Sequence, residues 1–307
     1  MSKTRQLLDK SLKSHSLLYD TVSLVMYKFG YGDINLAGAN SRYKTFTKLE
    51  KEFKKEIGKT DFTVYDEDMS DAIWICWLQG IESAPELVQH CVRSIEHHIP
   101  DRKIIYINKN NFRNYCHIPD FIIKKWEKGL ITNTHFSDIL RLALLIQHGG
   151  LWMDATVYMT GALPTYITDG DFFVYRDGFF NCDVINFGSW IIYAKPNNLL
   201  LNETLQLLYL YWQRYDYMKH YFLLHLLFRA VTDCYPVEWN QIPYFSQMDQ
   251  HIFSFEILNE FDEKRWEQLC ALSPLHKLSN KTDVSTAAEN SYYARLGELY
   301  RITESHI

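Results

Sequence analysis

From Phe136 to Ile146 the chain is apolar at Phe136, Ile139, Leu140, Leu142, Ala143, Leu144, Leu145 and Ile146, a pattern that predicts a helix buried on most sides. Asp138 and Arg141 interrupt it, three residues apart and so neighbours on one helical face. Lone charges are rarely buried, whereas a contacting pair can be. Gly149-Gly150 stops the helix, and Leu151-Trp152-Met153 is short and apolar enough for a buried strand end. Asp154-Ala155-Thr156 then puts a carboxylate at the C-terminal edge of that strand, where open α/β sheets bind ligands. On these residues alone, a core helix with an internal ion pair and a turn aspartate fits as well as a binding site does.

Residues 72–78, A-I-W-I-C-W-L, predict a buried strand. Ser83-Ala84-Pro85-Glu86 reads as a capping box with an early proline, opening a helix to about residue 98. Residues 103–108 predict a second strand, so strand, helix and strand begin a βαβ unit. A nucleotide would lie over residues 77–80, at the first strand's carboxyl end. There Trp77 suits stacking on a base and Gln79 suits bonding its edge, while Trp74 suits the core equally well.

Further along, residues 119–128 predict a short amphipathic helix, and residues 172–175 and 184–194 predict strands. Gly188 inside the last marks a bulge or a close backbone approach. Asp177, Asn181, Asp183 and Asn186 form either an acceptor-side loop or ordinary turns. Residues 199–214 and 217–232 predict two helices whose aromatic stripe is more often core than sugar platform. His225, in the second, reads alone as a core histidine. Near the C-terminus, His276 is a residue type that ligates transition metals, and Lys277 and Lys281 beside a metal would neutralise a diphosphate. Thr286-Ala287-Ala288-Glu289 reads as a capping box for a last helix to about residue 300.

Composition narrows the class. A hydrophobic share of 47% and a charged share of 22% are those of a globular protein whose core needs no staples. The six cysteines (Cys76, Cys91, Cys116, Cys182, Cys234 and Cys270) show no C-x-x-C pair, and the N-terminus does not read as a signal peptide. A reduced cytosol is therefore expected. No apolar run reaches the roughly 18 residues of a spanning helix. The net charge of −5 argues against a nucleic-acid partner. Residues 1–55 carry 11 Lys/Arg against 5 Asp/Glu, a net of +6 that leaves −11 for the rest. Their apolar positions recur at helical spacing. Such a segment either lies on an anionic membrane or packs on the main domain with its basic side solvated.

The ordered set S-D-I-L-R-x-x-L-L-x-x-x-G-G-L-W-M-D-A-T, from Ser137 to Thr156, resembles the signature of bacterial capsular polysaccharide synthesis glycosyltransferases. These are relatives of glycosyltransferase family 32 and, more distantly, of family 8 and the clostridial glucosylating toxins. The resemblance implies an α/β domain of GT-A type, Rossmann-like, over residues 70–307, behind a helical N-terminal extension over residues 1–69. It implies transfer of a hexose, with retention, from a UDP-sugar (UDP-glucose or UDP-galactose) to a lipid-linked capsular repeat-unit intermediate. The site residues implied are Asp154 on a Mn or Mg ion, Thr156 on it through water, and His276 completing the metal set. Lys277 and Lys281 would hold the diphosphate, and Trp77 and Gln79 the nucleotide. Asp138 would accept bonds from donor hydroxyls, with Arg141 keeping it charged and in place. Thr156 stands where the broad family's D-x-D motif has a second Asp, so the metal is one anionic ligand short. A protein-glycosylating enzyme of toxin type and a catalytically weak sugar-nucleotide-binding protein are the rival readings. The cysteine usage points to the cytoplasm, and residues 1–55 would place the chain peripherally on the inner face of the cell membrane only in the reading where they lie on anionic lipid.

Overall fold

Alternation of side chains along the strands builds two cores on one sheet. In strand β1 (Ile73–Cys76) Ile73 and Ile75 point to one face and Trp74 to the other; in β3 (Gly150–Met153) Leu151 and Met153 oppose Trp152 in the same way. With β2 (Ile104–Ile107), β5 (Phe172–Arg176) and β6 (Phe187–Ala194) these make a five-stranded sheet of order β2-β1-β3-β6-β5. β1 pairs in parallel with both β2 and β3, whereas β6 runs antiparallel to β3 and to β5. The computed structural model describes residues 21–22, 25–26, 28–30, 34–59, 62–65, 69–176 and 184–302.

One face of the sheet is covered by α1 (Ile34–Phe53), α3 (Asp120–Glu127), α4 (Asn133–His148), α5 (Leu199–Arg214) and α6 (Leu223–Cys234). The other is covered by α2 (Glu86–His98), α8 (Met248–Glu256), α9 (Glu263–Leu272) and α10 (Tyr292–Ile302). A short α7 (Pro236–Gln241) lies between α6 and α8 in the chain. Strands β4 (Val157–Met159) and β7 (Leu275–Lys277) form a separate antiparallel ribbon, with Tyr158 opposite His276. This is the mixed α/β architecture expected, with a parallel-rich sheet and a helical N-terminal segment.

The basic segment over residues 1–55 divides here. Residues 1–20 lie outside the described residues. Its helix α1 buries Phe46, Leu49 and Phe53 in the same core as α6, so this part packs on the domain. No helix among the described residues is long and apolar enough to cross a membrane.

Both expected capping boxes fail. Ser83 turns its hydroxyl back to the carbonyls of Gln79 and Gly80, and α2 starts after Pro85 instead. Thr286 belongs to a single 3-10 turn capped by Asp283, and α10 begins only at Tyr292. The second aromatic helix starts at Leu223 rather than near 217. The glycine readings hold. Gly149 (φ 67°) and Gly150 (φ 98°) turn the chain from α4 into β3, where a Cβ on Gly150 would lie 2.7 Å from the Ala72 carbonyl oxygen. A Cβ on Gly188 would lie 2.2 Å from Gln247 Oε1, which is the close approach expected there.

Candidate donor-binding cleft

Helix α4 carries the site because its first turn is fixed and its polar face is pre-paired. Thr132 caps it by accepting a bond from the His135 amide. The indole Nε1–H of Trp212 donates to His135 Nε2 at 3.0 Å. An indole only donates, so the His135 proton sits on Nδ1 and points at Asp138 Oδ2, 3.3 Å away. Asp138 Oδ1 faces Arg141 Nη1 at 3.1 Å. Burial alone would raise the Asp138 carboxyl, but Arg141 and the His135 bond together hold it below its usual value.

Arg141 completes the chain of charges. Its Nη2 donates to Asp154 Oδ1 at 3.1 Å, and its guanidinium lies 4.8 Å from the Trp152 ring centroid. Trp152 Nε1 donates to the same Asp154 oxygen at 3.0 Å. Asp154 Oδ1 is thus committed to protein donors, and only Oδ2 is left toward the cleft. The Lys277 ammonium stands 3.5 Å from Oδ2 while donating to Thr156 Oγ1 at 2.5 Å and to the Leu278 carbonyl at 3.2 Å.

These groups line a cleft of about 530 Å³ at the carboxyl ends of β1 and β3, a size suited to a small ligand. Trp77, Gln79, Arg141, Asp154, Lys277 and Lys281 all line it. Asn133, Thr134 and Ser137 from the first turn of α4 also face it, as do Tyr221, His251 and Ser254. Cys76 lines it too, but burial pushes its thiol up to about 12, so it stays protonated and is a poor nucleophile.

Two expected contacts are corrected. Asp138 is absent from the cleft lining: it stands one side chain behind, with both oxygens engaged by His135 and Arg141. Its observed partners are Arg141 and His135. His276 is not in the cleft at all. Strand alternation sends Lys277 into the cleft and His276 to the opposite side, where it is fully buried beside Phe253 and Trp266 and touches Thr160 Oγ1 at 3.1 Å. Burial lowers its imidazole to about 3.

The metal set Asp154, Thr156 and His276 therefore does not fit a divalent ion. Mg completes its roughly six oxygen ligands with waters and substrate phosphates, but it needs one or two protein carboxylates free to bind it. Here only one carboxylate oxygen and one hydroxyl face the spot, and an ammonium already bridges them. No group of three or more His, Cys, Asp or Glu suited to a metal occurs among the described residues. A doubly charged ion placed about 4 Å from that ammonium would be repelled by roughly 8 kcal/mol at an effective dielectric of 20.

Of the remaining candidates, Asp177, Asn181 and Asp183 lie outside the described residues. Asn186 donates to Thr232 Oγ1 at 2.8 Å and serves packing. His225 is wedged between the rings of Phe187 and Phe222. Burial lowers it to about 4, against the pull of Asp138. Sequence reading missed His135, Trp212, His251 and Ser254. His135 was legible only as a polar residue at i−3 from Asp138 on the same helix.

A family model described as "Capsular polysaccharide synthesis protein" matches residues 32–296 of the chain. Among solved structures, one titled "PaToxG Glycosyltransferase" is 14% identical with a TM-score of 0.38, over 89% of this chain and 98% of that one. A transferase mutant is 12% identical with a TM-score of 0.37, over 62% and 96%. No curated protein sequence matches the chain.

Proposed function

The chain belongs to the capsular polysaccharide synthesis protein family, and on that premise we propose that it is a glycosyltransferase using a nucleotide-sugar donor. The observation that carries this reading is that Arg141, Lys277 and Lys281 line the same cleft as Trp77 and Gln79. Cations in one cleft with an aromatic and an amide suit a nucleoside diphosphate, with the base against Trp77 and Gln79 and the phosphates against the two lysines.

In transfer, the bond from the anomeric carbon to the diphosphate breaks and an acceptor hydroxyl forms the new one. Negative charge develops on the departing phosphate, and prearranged cations stabilise it where water is excluded. For a retaining reaction the departing phosphate oxygen takes the acceptor's proton on the same face of the sugar. Retention, a UDP-hexose such as UDP-glucose or UDP-galactose, and a lipid-linked capsular repeat unit as acceptor are supported by the resemblance of the Ser137 to Thr156 signature. Peripheral membrane contact through residues 1–55 is supported by their +6 balance, which suits an anionic lipid surface.

Saturation-transfer NMR with UDP-glucose tests the orientation. Base and sugar protons should both receive saturation from the wild-type chain, and Trp77→Ala should lose the base signals first. Saturation confined to the sugar in the wild type would refute the assignment of Trp77 and Gln79.

A further inference from the structure

The spot that a D-x-D metal would need is taken by a side chain of the protein itself. Resting on the reading that the cleft takes a nucleoside diphosphate, we infer that the ammonium of Lys277 replaces the divalent cation, so that donor binding is independent of metal. Four observations on different residues converge on this. Asp154 commits Oδ1 to Arg141 and Trp152, which leaves one oxygen for any cation. Thr156, where a second carboxylate would stand, contributes an uncharged hydroxyl, and that hydroxyl accepts from Lys277. The ammonium is fixed between Asp154 Oδ2, Thr156 Oγ1 and the Leu278 carbonyl. The imidazole of His276, one residue away, is turned to the other side of the ribbon and buried.

The arrangement is chemically sufficient. An ammonium has three donors. Two go to Thr156 Oγ1 and the Leu278 carbonyl. The third, only 3.5 Å from Asp154 Oδ2 and in no hydrogen bond, can turn to a phosphate oxygen in a strong charge-assisted bond. Lys277 lies at the base of the cleft beside the point where Asp154 and Arg141 meet. Lys281 stands at the rim, its ammonium 5.3 Å from the Tyr221 ring centroid. Arg141, Lys277 and Lys281 less Asp138 and Asp154 leave a net charge of +1 beside the leaving group. Asp154 orients the lysine, whereas a second Asp at 156 would bring that balance to zero.

Calorimetry of the full chain with UDP and with GDP, in excess EDTA and again with saturating Mn, tests the inference. The wild type should bind its preferred nucleotide with dissociation constants that agree within about twofold between EDTA and Mn. Lys277→Met should weaken that binding by roughly tenfold or more, and Lys277→Arg should restore most of it because it returns the charge. Binding that appears only with Mn, or a Lys277→Met variant that binds as the wild type does, would overturn the inference while leaving the donor site in place. No binding of either nucleotide under either condition would overturn the donor reading itself.

Discussion

Arg141 Nη2 meets Asp154 Oδ1 at 3.1 Å across the two glycines that end α4, and Nη1 of the same guanidinium lies 3.1 Å from Asp138 Oδ1. One buried cation thus joins a helix carboxylate to a strand-end carboxylate and fixes the floor of the cleft. Lysine has a single nitrogen and cannot span both. Arg141→Lys should therefore fold but lose about a hundredfold in kcat/KM, or roughly 3 kcal/mol of transition-state stabilisation. Arg141→Met should instead destabilise the fold, since removing one member of a buried ion network costs about 3–5 kcal/mol. Nucleotide-release kinetics and urea unfolding separate the two outcomes.

His135→Leu leaves the Trp212 indole and Asp138 Oδ2 without their shared partner. Stranding a buried donor and a buried charge should cost about 2–4 kcal/mol in urea unfolding. It should also move the acid limb. The folded value of Asp138 lies below its ordinary value of 3.8, so its contribution is present above pH 3.8 and is lost as pH falls through the folded value. Without the His135 bond that loss should begin at higher pH, which thermal melts across the acid range will read.

His276→Phe separates a core role from a ligand role. The folded imidazole is lowered to about 3 from 6.5. It therefore stabilises the fold above pH 6.5 and loses that contribution as pH falls toward 3, at up to about 1.4 kcal/mol per pH unit. A ring in its place, packed on Phe253 and Trp266, should flatten the melting-temperature slope below pH 6.5 by one proton. Nucleotide binding should be unchanged. A large loss of binding with an intact fold would return His276 to the site.

Gly150→Ala should destabilise by more than the roughly 1 kcal/mol of an ordinary helix-interior glycine exchange, in the opposite sense. Its φ of 98° disfavours any side chain, and the added Cβ would meet the Ala72 carbonyl oxygen at 2.7 Å. Because Asp154 lies four residues beyond, activity should fall with stability, and chemical denaturation beside kinetics at low temperature will show both.

Much of this architecture was legible because its signals are local. The apolar run of α4, its interrupting Asp138–Arg141 pair, the two glycines and the β1–α2–β2 alternation each follow from spacing along the chain. Trp77 and Gln79 line the cleft, as a place at a strand's carboxyl end in an α/β sheet leads one to expect. The errors arose where a second segment decides the outcome. The side of the ribbon to which His276 points depends on pairing β7 with β4, which no spacing within residues 273–281 reveals. Ser83 is the local exception: its hydroxyl turns back to the carbonyls of Gln79 and Gly80, four and three residues earlier. His135 became visible as a positioning residue only through Trp212, 77 positions away.

We assign the Asp154 end of this cleft to the binding and activation of a nucleotide sugar. Release of nucleotide from a panel of UDP- and GDP-sugars, with wild type beside Asp154→Asn, tests it most directly. Asp154→Asn keeps the shape but removes the charge that holds Lys277 and Arg141. Turnover with one UDP-hexose should run at least tenfold above the other donors and should drop about a hundredfold or more in the variant, with its fold intact. No release from any donor, or equal release by wild type and Asp154→Asn, would contradict it.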